Sequence, residues 1–405
     1  MSTTDNPQPS ADDEAYKLVS RFINIQTPGT TTGSPRWLQA AGLIAETCPL
    51  LRDVLEATSR LFLAKTIKDT EIELDAQQRY GSVLSRVQSS LRQPDESSST
   101  WLLLSIAVVT IFEMLQQRSE NPIVCHWGAL LTLIEKRGPL RHVHGIERCF
   151  FIELRLLWVL WSVEFRRPTF LSLEEWRTIP WTQTDVQKDA LQHLLDTVLE
   201  IPAFLRQCDR YTEMSNDPSI PAQESTLMMR SMQSWAFILR NRLQQWKGDY
   251  ADDYPAGQPY ECNQNDTLPI FQCWNRERDI VITPTAFMYP DLVLATSLCI
   301  YKAILLSLSN EVVSADFITQ TKKYSYACDI CRSIQFYLQA NHGNVTMQIL
   351  YPLRIAYQVF EERSIERQFV EDISEFIVKQ YHFEAFPSLV TATTPPDNSV
   401  LNQQI

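Results

Sequence analysis

The side chains in this sequence that could carry chemistry are few, and their spacing decides what each could do. Cys328-Asp329-Ile330-Cys331 is a C-x-x-C pair, half of what a zinc site needs, but no second pair lies at a useful distance along the chain. On a helix the two thiols share a face, and buried free cysteine is common, so they read as core thiols. His126, His142 and His144 lie near Glu135 and Glu147, but their order contains no H-E-x-x-H or equivalent spacing. His142 and His144 flank a turn and are expected in solvent. Asp12-Asp13 and Asp252-Asp253 resemble the acidic pairs of magnesium-dependent helical cyclases. Neither continues into a carboxylate-rich helix with a third acid. No G-x-S-x-G, G-x-x-x-x-G-K-[ST] or G-x-G-x-x-G occurs, and Ser, His and Asp fall in no triad order. Arg166-Arg167 is too short for a nucleic-acid patch and suits the C-terminal dipole of the helix before it. The expectation is therefore no catalytic residue, no cofactor-binding residue and no metal ligand, hence a protein that is not an enzyme.

The elements that would position any site centre on Trp101–Trp181. WLLLSIAVVTIFEML opens this stretch, with a short polar break at Ser119–Pro122. A second helix follows with Trp127, Leu130, Leu131 and Ile134 as its stripe, ending at Gly138-Pro139. In the third, Phe150, Leu154, Leu157, Trp158, Trp161 and Phe165 share one face. Phe151 and Val159 cover the other side, so nearly the whole helix is expected to be buried. Each buried side chain of Leu or Phe size contributes roughly 1.5–3 kcal/mol.

Composition bounds the function. The chain is 44% hydrophobic and 21% charged, as in soluble globular proteins, and its 10 glycines leave little material for phosphate-cradling loops. A net charge of −12 argues against holding nucleic acid unaided, because phosphate neutralisation needs clustered Lys and Arg. Nine widely spaced cysteines, an odd number, read as reduced thiols of an intracellular protein. No secretory signal opens the chain, and the apolar run Trp101–Phe112 is too short to span a bilayer.

In order, residues 1–33 read as a disordered lead with a short helix at Glu14–Ile25. Residues 34–386 read as one large all-α domain with no β-sheet, and 387–405 as a disordered tail. Within the domain, helices are expected at Arg36–Leu63 (broken at Cys48-Pro49), Glu71–Arg92, Thr184–Tyr211, Ala222–Trp246, Thr285–Ser309, Ala315–Ala340, Val345–Glu362 and Ile365–Tyr381. Ser215–Pro221 is a hinge candidate. Residues 248–281 form a long irregular segment rich in Tyr, Trp and Phe, which predicts a packed loop. No internal repeat of fixed period stands out.

Two phrases carry a resemblance. ALLTLIEKRGP at Ala129–Pro139 ends a helix in L-I-x-x-R-G-P. Arg155–Trp176 gives an apolar helix bearing an arginine, then R-x-P-x-F-L and a tryptophan. Together with Ala76, Tyr80 and Leu84 in the order A-x-x-x-Y-x-x-x-L, they resemble the regulatory, fungal-specific transcription factor domain of zinc-cluster transcription factors. The likeness spans about Ser34 to Phe386 and is strongest over Trp101–Trp181. It implies a nuclear transcriptional regulator of a metabolic or biosynthetic gene set. Its partners would be a DNA-binding factor or the transcription machinery, with a small-molecule effector and self-association as further expectations. The six-cysteine zinc module that opens such factors has no counterpart before Cys48, so no metal ligand carries over and no direct specific DNA binding is expected. The readings from other classes are an all-helical lyase or cyclase and a ligand-free scaffold.

Overall fold

The computed structural model describes residues 11–26, 36–93, 99–116, 121–182, 187–216, 222–275, 278–339 and 343–392. Its first half consists of helices α1 (Ala11–Gln26), α2 (Trp37–Ala45), α3 (Pro49–Ile67), α4 (Thr70–Leu91), α5 (Thr100–Gln116), α6 (Asn121–Arg137), α7 (Gly145–Glu164) and the short α8 (Glu174–Thr178). Then come α9 (Ala190–Val198), α10 (Ile201–Ser215) and α11 (Ala222–Trp246). After an irregular segment the chain returns as α12 (Leu292–Ser309), α13 (Gln320–Arg332), α14 (Ile334–Gln339), α15 (Gly343–Thr346), α16 (Leu350–Val359), α17 (Ile365–Tyr381) and α18 (Phe386–Thr391). The protein is all-α, as its apolar periodicity requires.

Strands occur only as four three-residue segments among the described residues: β1 (Tyr260–Cys262), β2 (Cys273–Asn275), β3 (Ile280–Ile282) and β4 (Ala286–Met288). They form two separate antiparallel pairs, β1 with β4 and β2 with β3. No sheet was expected, and these short ladders pin the aromatic segment 248–281 in place. Phe271 is buried against Phe369 at 4.9 Å, Tyr250 stacks on His193 at 4.2 Å, and Tyr254 donates to Asp291 at 2.8 Å.

Sequence sets the helix ends. Pro49 begins α3 after the break at Glu46–Cys48, since proline tolerates the first helical turn and no later one. Asp69 caps α4 by accepting from the backbone N–H of Glu71 and Ile72 at 2.9 and 3.1 Å. Asp291 does the same for Leu294, so α12 starts at Leu292 rather than at Thr285 as the apolar pattern suggested. Arg166-Arg167 ends α7 through its backbone. Arg166 takes the left-handed conformation (φ 51°), and the two N–H groups return to Val163 and Ser162 at 3.1 and 2.9 Å. The Arg166 side chain reaches Asp209 and Glu311, each at 2.7 Å.

Two helices anchor the core. Every residue of α5 from Leu102 to Leu115 is buried. α12 has the length and hydropathy of a membrane span, yet 83% of it is buried within the protein, which makes it a core helix here. α3 lies along α4 and α5, α9 and α16 flank α12, and α7 runs between α2 and the α9–α10 pair. α7 is buried mainly from Phe150 to Val163, with Phe151 and Val159 at 0% and Trp158 at 1% exposure, while its first turn and Leu157 stay partly exposed. Residues 387–391, expected as a disordered tail, belong to α18. Leu389 and Val390 are buried, and Ala385 N–H donates to Met114 O at 3.2 Å. Two nonpolar residues at the end of the apolar text outweigh the polar residues beyond them. The hinge candidate at 215–221 falls mostly outside the described residues. α10 and α11 on either side of it pack on each other.

Candidate functional site

Partly buried Leu157 interrupts the buried face of α7, and an apolar cleft opens there between α6, α7 and α16. Its first lobe, about 70 Å³, is walled by Trp37, Trp127, Trp158 and Phe383 with Glu153 and Gln348 as its polar groups. The second lobe, also about 70 Å³, is walled by Trp161, Phe165, Tyr351 and Leu389 with the pair Glu164 and Arg354. Trp127, Leu157 and Met347 line both lobes, so the two are neighbours along α7.

The helices explain the lining. Trp158, Trp161 and Phe165 recur at steps of three and four on α7 and present one aromatic stripe. α6 contributes Trp127, and the turn before α16 contributes Met347 and Gln348. Trp161 and Phe165 pack at 4.9 Å, which holds the second lobe's wall in one arrangement.

Most polar atoms of the cleft are already engaged. Glu153 accepts from the backbone N–H groups of Arg36 and Trp37, both at 2.7 Å, and from the Cys149 thiol at 3.2 Å. It thereby caps the N-terminus of α2, which has no side-chain cap of its own. Burial raises the Glu153 pKa, and these bonds pull it back only in part. Glu164 pairs with Arg354 at 2.8 Å, and burial raises its pKa against the pull of that arginine. Gln348 accepts from Thr296 at 2.7 Å, and Thr110 bonds back to Ile106 O at 3.0 Å. Two buried nitrogens of lining residues make no hydrogen bond, Trp161 Nε1 and Arg354 Nε, although Arg354 is otherwise held by Glu164 and by Leu389 O at 3.3 Å. The carboxylates of this lining are committed to backbone N–H groups and a thiol (Glu153) or to an arginine (Glu164), which suits binding.

The residues singled out in the sequence are scattered. Cys328 and Cys331 are buried on α13, and β2 brings Cys273 beside Cys328. The hydrogen bond to Cys273 and burial hold the Cys328 thiol well above its ordinary pKa, and burial does the same for Cys331. Among the described residues no group of three or more His, Cys, Asp and Glu side chains is placed to hold a metal ion. His144 is exposed, as expected. His142 is not in solvent: it is fully buried between Phe151 and Trp176, at ring distances of 5.3 and 5.8 Å. Its Nδ1–H donates to Glu147 O at 3.2 Å, and desolvation pushes its pKa down to about 4. Desolvation also lowers His126 on α6 to about 4. Asp252 pairs with Lys247, and the side chains of Asp12 and Asp13 lie outside the described set.

Two buried polar clusters, one ionic and one a tyrosine–carboxyl hydrogen bond, have no counterpart in the sequence expectations. Arg155, fully buried on α7, donates to Gln192 Oε1 at 2.9 Å and to Asp196, which Lys188 also clamps. The Trp181 ring lies under both cations, at 5.1 Å from Arg155 and 4.4 Å from Lys188. On the far side of the core Tyr80 donates to Glu113, whose carboxyl burial holds above the usual range. Neither cluster opens into the cleft; both tie helices together. A larger groove of about 580 Å³ runs over α1, α2 and α3. Tyr16 and Leu43 there are 63% and 71% exposed, so it encloses nothing.

No family profile matches this chain, no curated protein is similar to it in sequence, and no solved structure matches its fold.

Proposed function

We propose that this chain is a regulatory domain of the fungal zinc-cluster transcription factor type, acting in the nucleus through a DNA-binding partner. The observation that carries the reading is a coincidence of place. The segments that resemble that family, Ala129–Pro139 and Arg155–Trp176, overlap α6 and α7, and their Leu130, Leu157 and Trp161 line the apolar cleft. A helical body with an apolar cleft suits regulation by an effector. A ligand that binds one of two conformations more tightly moves the population toward it, and only by that difference in affinity. α16 is distant in the chain from the consecutive helices α6 and α7, so an occupied cleft couples the two regions.

The net charge of −12 favours action through a partner, since a chain this acidic gains little from counterion release on DNA. The gene set would be a metabolic or biosynthetic one. The test is to fuse the chain to a heterologous DNA-binding domain in a fungal host and read a reporter. A change of several-fold in either direction is expected. A fusion that is folded and nuclear but leaves the reporter at its basal level defeats the proposal.

A further inference from the structure

The C-x-x-C pair of α13 finds a third thiol across the fold rather than along the chain. Side chains alternate faces along β2: Trp274 points outward, 40% exposed, and Cys273 inward, 7% exposed. The strand is tied to α13 through its backbone. Trp274 N–H donates to Tyr324 Oη at 2.9 Å and to Glu366 Oε1 at 2.8 Å, and Tyr324 Oη lies 3.0 Å from Trp274 O. Cys328 follows Tyr324 by one turn on the same face of α13, which sets its thiol against Cys273. The two thiols are hydrogen-bonded to each other.

Acidity gives the two thiols different roles. Their hydrogen bond pulls Cys273 below the ordinary thiol pKa against the opposing effect of burial, and holds Cys328 above it. Cys273 is therefore the nucleophile and Cys328 the thiol that closes on it. Each keeps 7% of its surface in solvent, against 2% for Cys331. A groove of about 470 Å³ over the neighbouring Trp274, Tyr324 and Glu366 gives a small oxidant its approach. Convergent side chains meet the first demand of a disulfide. We propose that Cys273 and Cys328 are a peroxide-responsive modification site, closing into a disulfide that ties β2 to α13. The Cys273 thiolate attacks one oxygen of hydrogen peroxide: S–O forms, O–O breaks, and the departing hydroxide takes a proton from solvent to leave as water. The Cys328 sulfur then attacks the sulfenic sulfur of Cys273. S–S forms, S–O breaks, and the Cys328 proton departs with the hydroxyl as a second water. Both thiols are oxidised and the peroxide is reduced. The β2–β3 ladder, with its exposed Trp274, Ile280 and Val281, is then bonded to the helix. A reversible bond of this kind suits a reducing compartment, where lasting disulfides are rare and redox-sensing ones occur.

The test treats the reduced full chain with hydrogen peroxide under native conditions and maps its disulfides by mass spectrometry of an alkylated, unreduced digest. A link between Cys273 and Cys328 is expected as the main product, and dithiothreitol restores both thiols. In Cys328→Ser, Cys273 stops at the sulfenic acid and is captured by dimedone. In Cys273→Ser, Cys328 is not captured, because its thiol stays protonated. The wild-type map decides alone if either variant unfolds. The proposal is overturned if Cys273 and Cys328 stay reduced in the native chain while other thiols oxidise. It is equally overturned if the main link is Cys328–Cys331 or runs between chains, or if dimedone captures Cys328 in Cys273→Ser and leaves Cys273 unlabelled in Cys328→Ser.

Discussion

Removing Arg155 alone should destabilise the fold more than removing the whole ionic cluster it belongs to. The guanidinium is fully buried, donates to Gln192 Oε1 and O at 2.9 and 3.3 Å, and clamps Asp196 together with Lys188. Desolvation lowers the pKa of both Arg155 and Lys188, and the Asp196 carboxylate opposes that fall. Taking away one partner of a buried pair typically costs about 3–5 kcal/mol, because the remaining charge stays buried without its match. Here Lys188 remains on Asp196, so Arg155→Met is expected near the lower end, about 3 kcal/mol. That is a large share of the roughly 5–15 kcal/mol typical of a whole domain. Replacing the set together, Arg155→Met with Lys188→Met and Asp196→Leu, leaves no buried charge behind. It should recover to within about 1–2 kcal/mol of wild type, the remainder reflecting the cation–π attraction of both side chains to the Trp181 ring. Urea unfolding followed by circular dichroism gives the three stabilities. An Arg155→Met protein as stable as wild type would refute the reasoning, and so would a triple variant less stable than the single.

Three further outcomes follow from burial and charge. Trp158→Ala, 1% exposed between Phe150 and Phe151 at 6.1 and 6.2 Å, should lose about 3–5 kcal/mol and become protease-sensitive. His144→Ala, on an exposed side chain, should unfold with wild type in the same limited proteolysis. His142 is held neutral by burial, with its pKa down to about 4 against an ordinary value near 6.5. The unfolded chain therefore takes up a proton that the folded one refuses. Stability is unaffected above about pH 6.5 and falls by a few kcal/mol as the pH drops toward 4. In His142→Phe, urea midpoints should fall less between pH 7 and pH 5 than in wild type, and an equal fall would count against the assignment. Finally, chelator treatment should leave the helicity unchanged and elemental analysis should find no stoichiometric zinc. A tightly held ion would implicate Cys328 and Cys331 first.

Helices whose apolar period is uninterrupted were legible in the sequence. Ala222–Trp246 and Ile365–Tyr381 fold over the limits their stripes predict, and α7 buries most residues from Phe150 to Val163. Where long-range contacts decide, the pattern misled. Ala286–Met288 continues the apolar text of α12, yet it pairs as a strand with Tyr260–Cys262, a partner that no local period reveals. The N-cap signal at Asp291 was present and marked the true start. His142 sits between Arg141 and Val143 in a turn, and only the fold of the α8 segment over it, bringing Trp176 to 5.8 Å, takes it out of water. The tail helix was detectable from Phe386, Leu389 and Val390 at steps of three and four. The cleft was not, because its walls come from α6, α7 and the segment around Met347, and an empty space between helices leaves no period in any one of them.

The central claim, a regulator that works at chromatin through a partner, is tested most directly by chromatin immunoprecipitation of the tagged protein from its native host. The account predicts enrichment at a limited set of promoters of metabolic or biosynthetic genes, while the purified chain alone shows no sequence-dependent shift of those promoter duplexes at physiological salt. A protein enriched at no promoter under conditions where it is folded and expressed would contradict it.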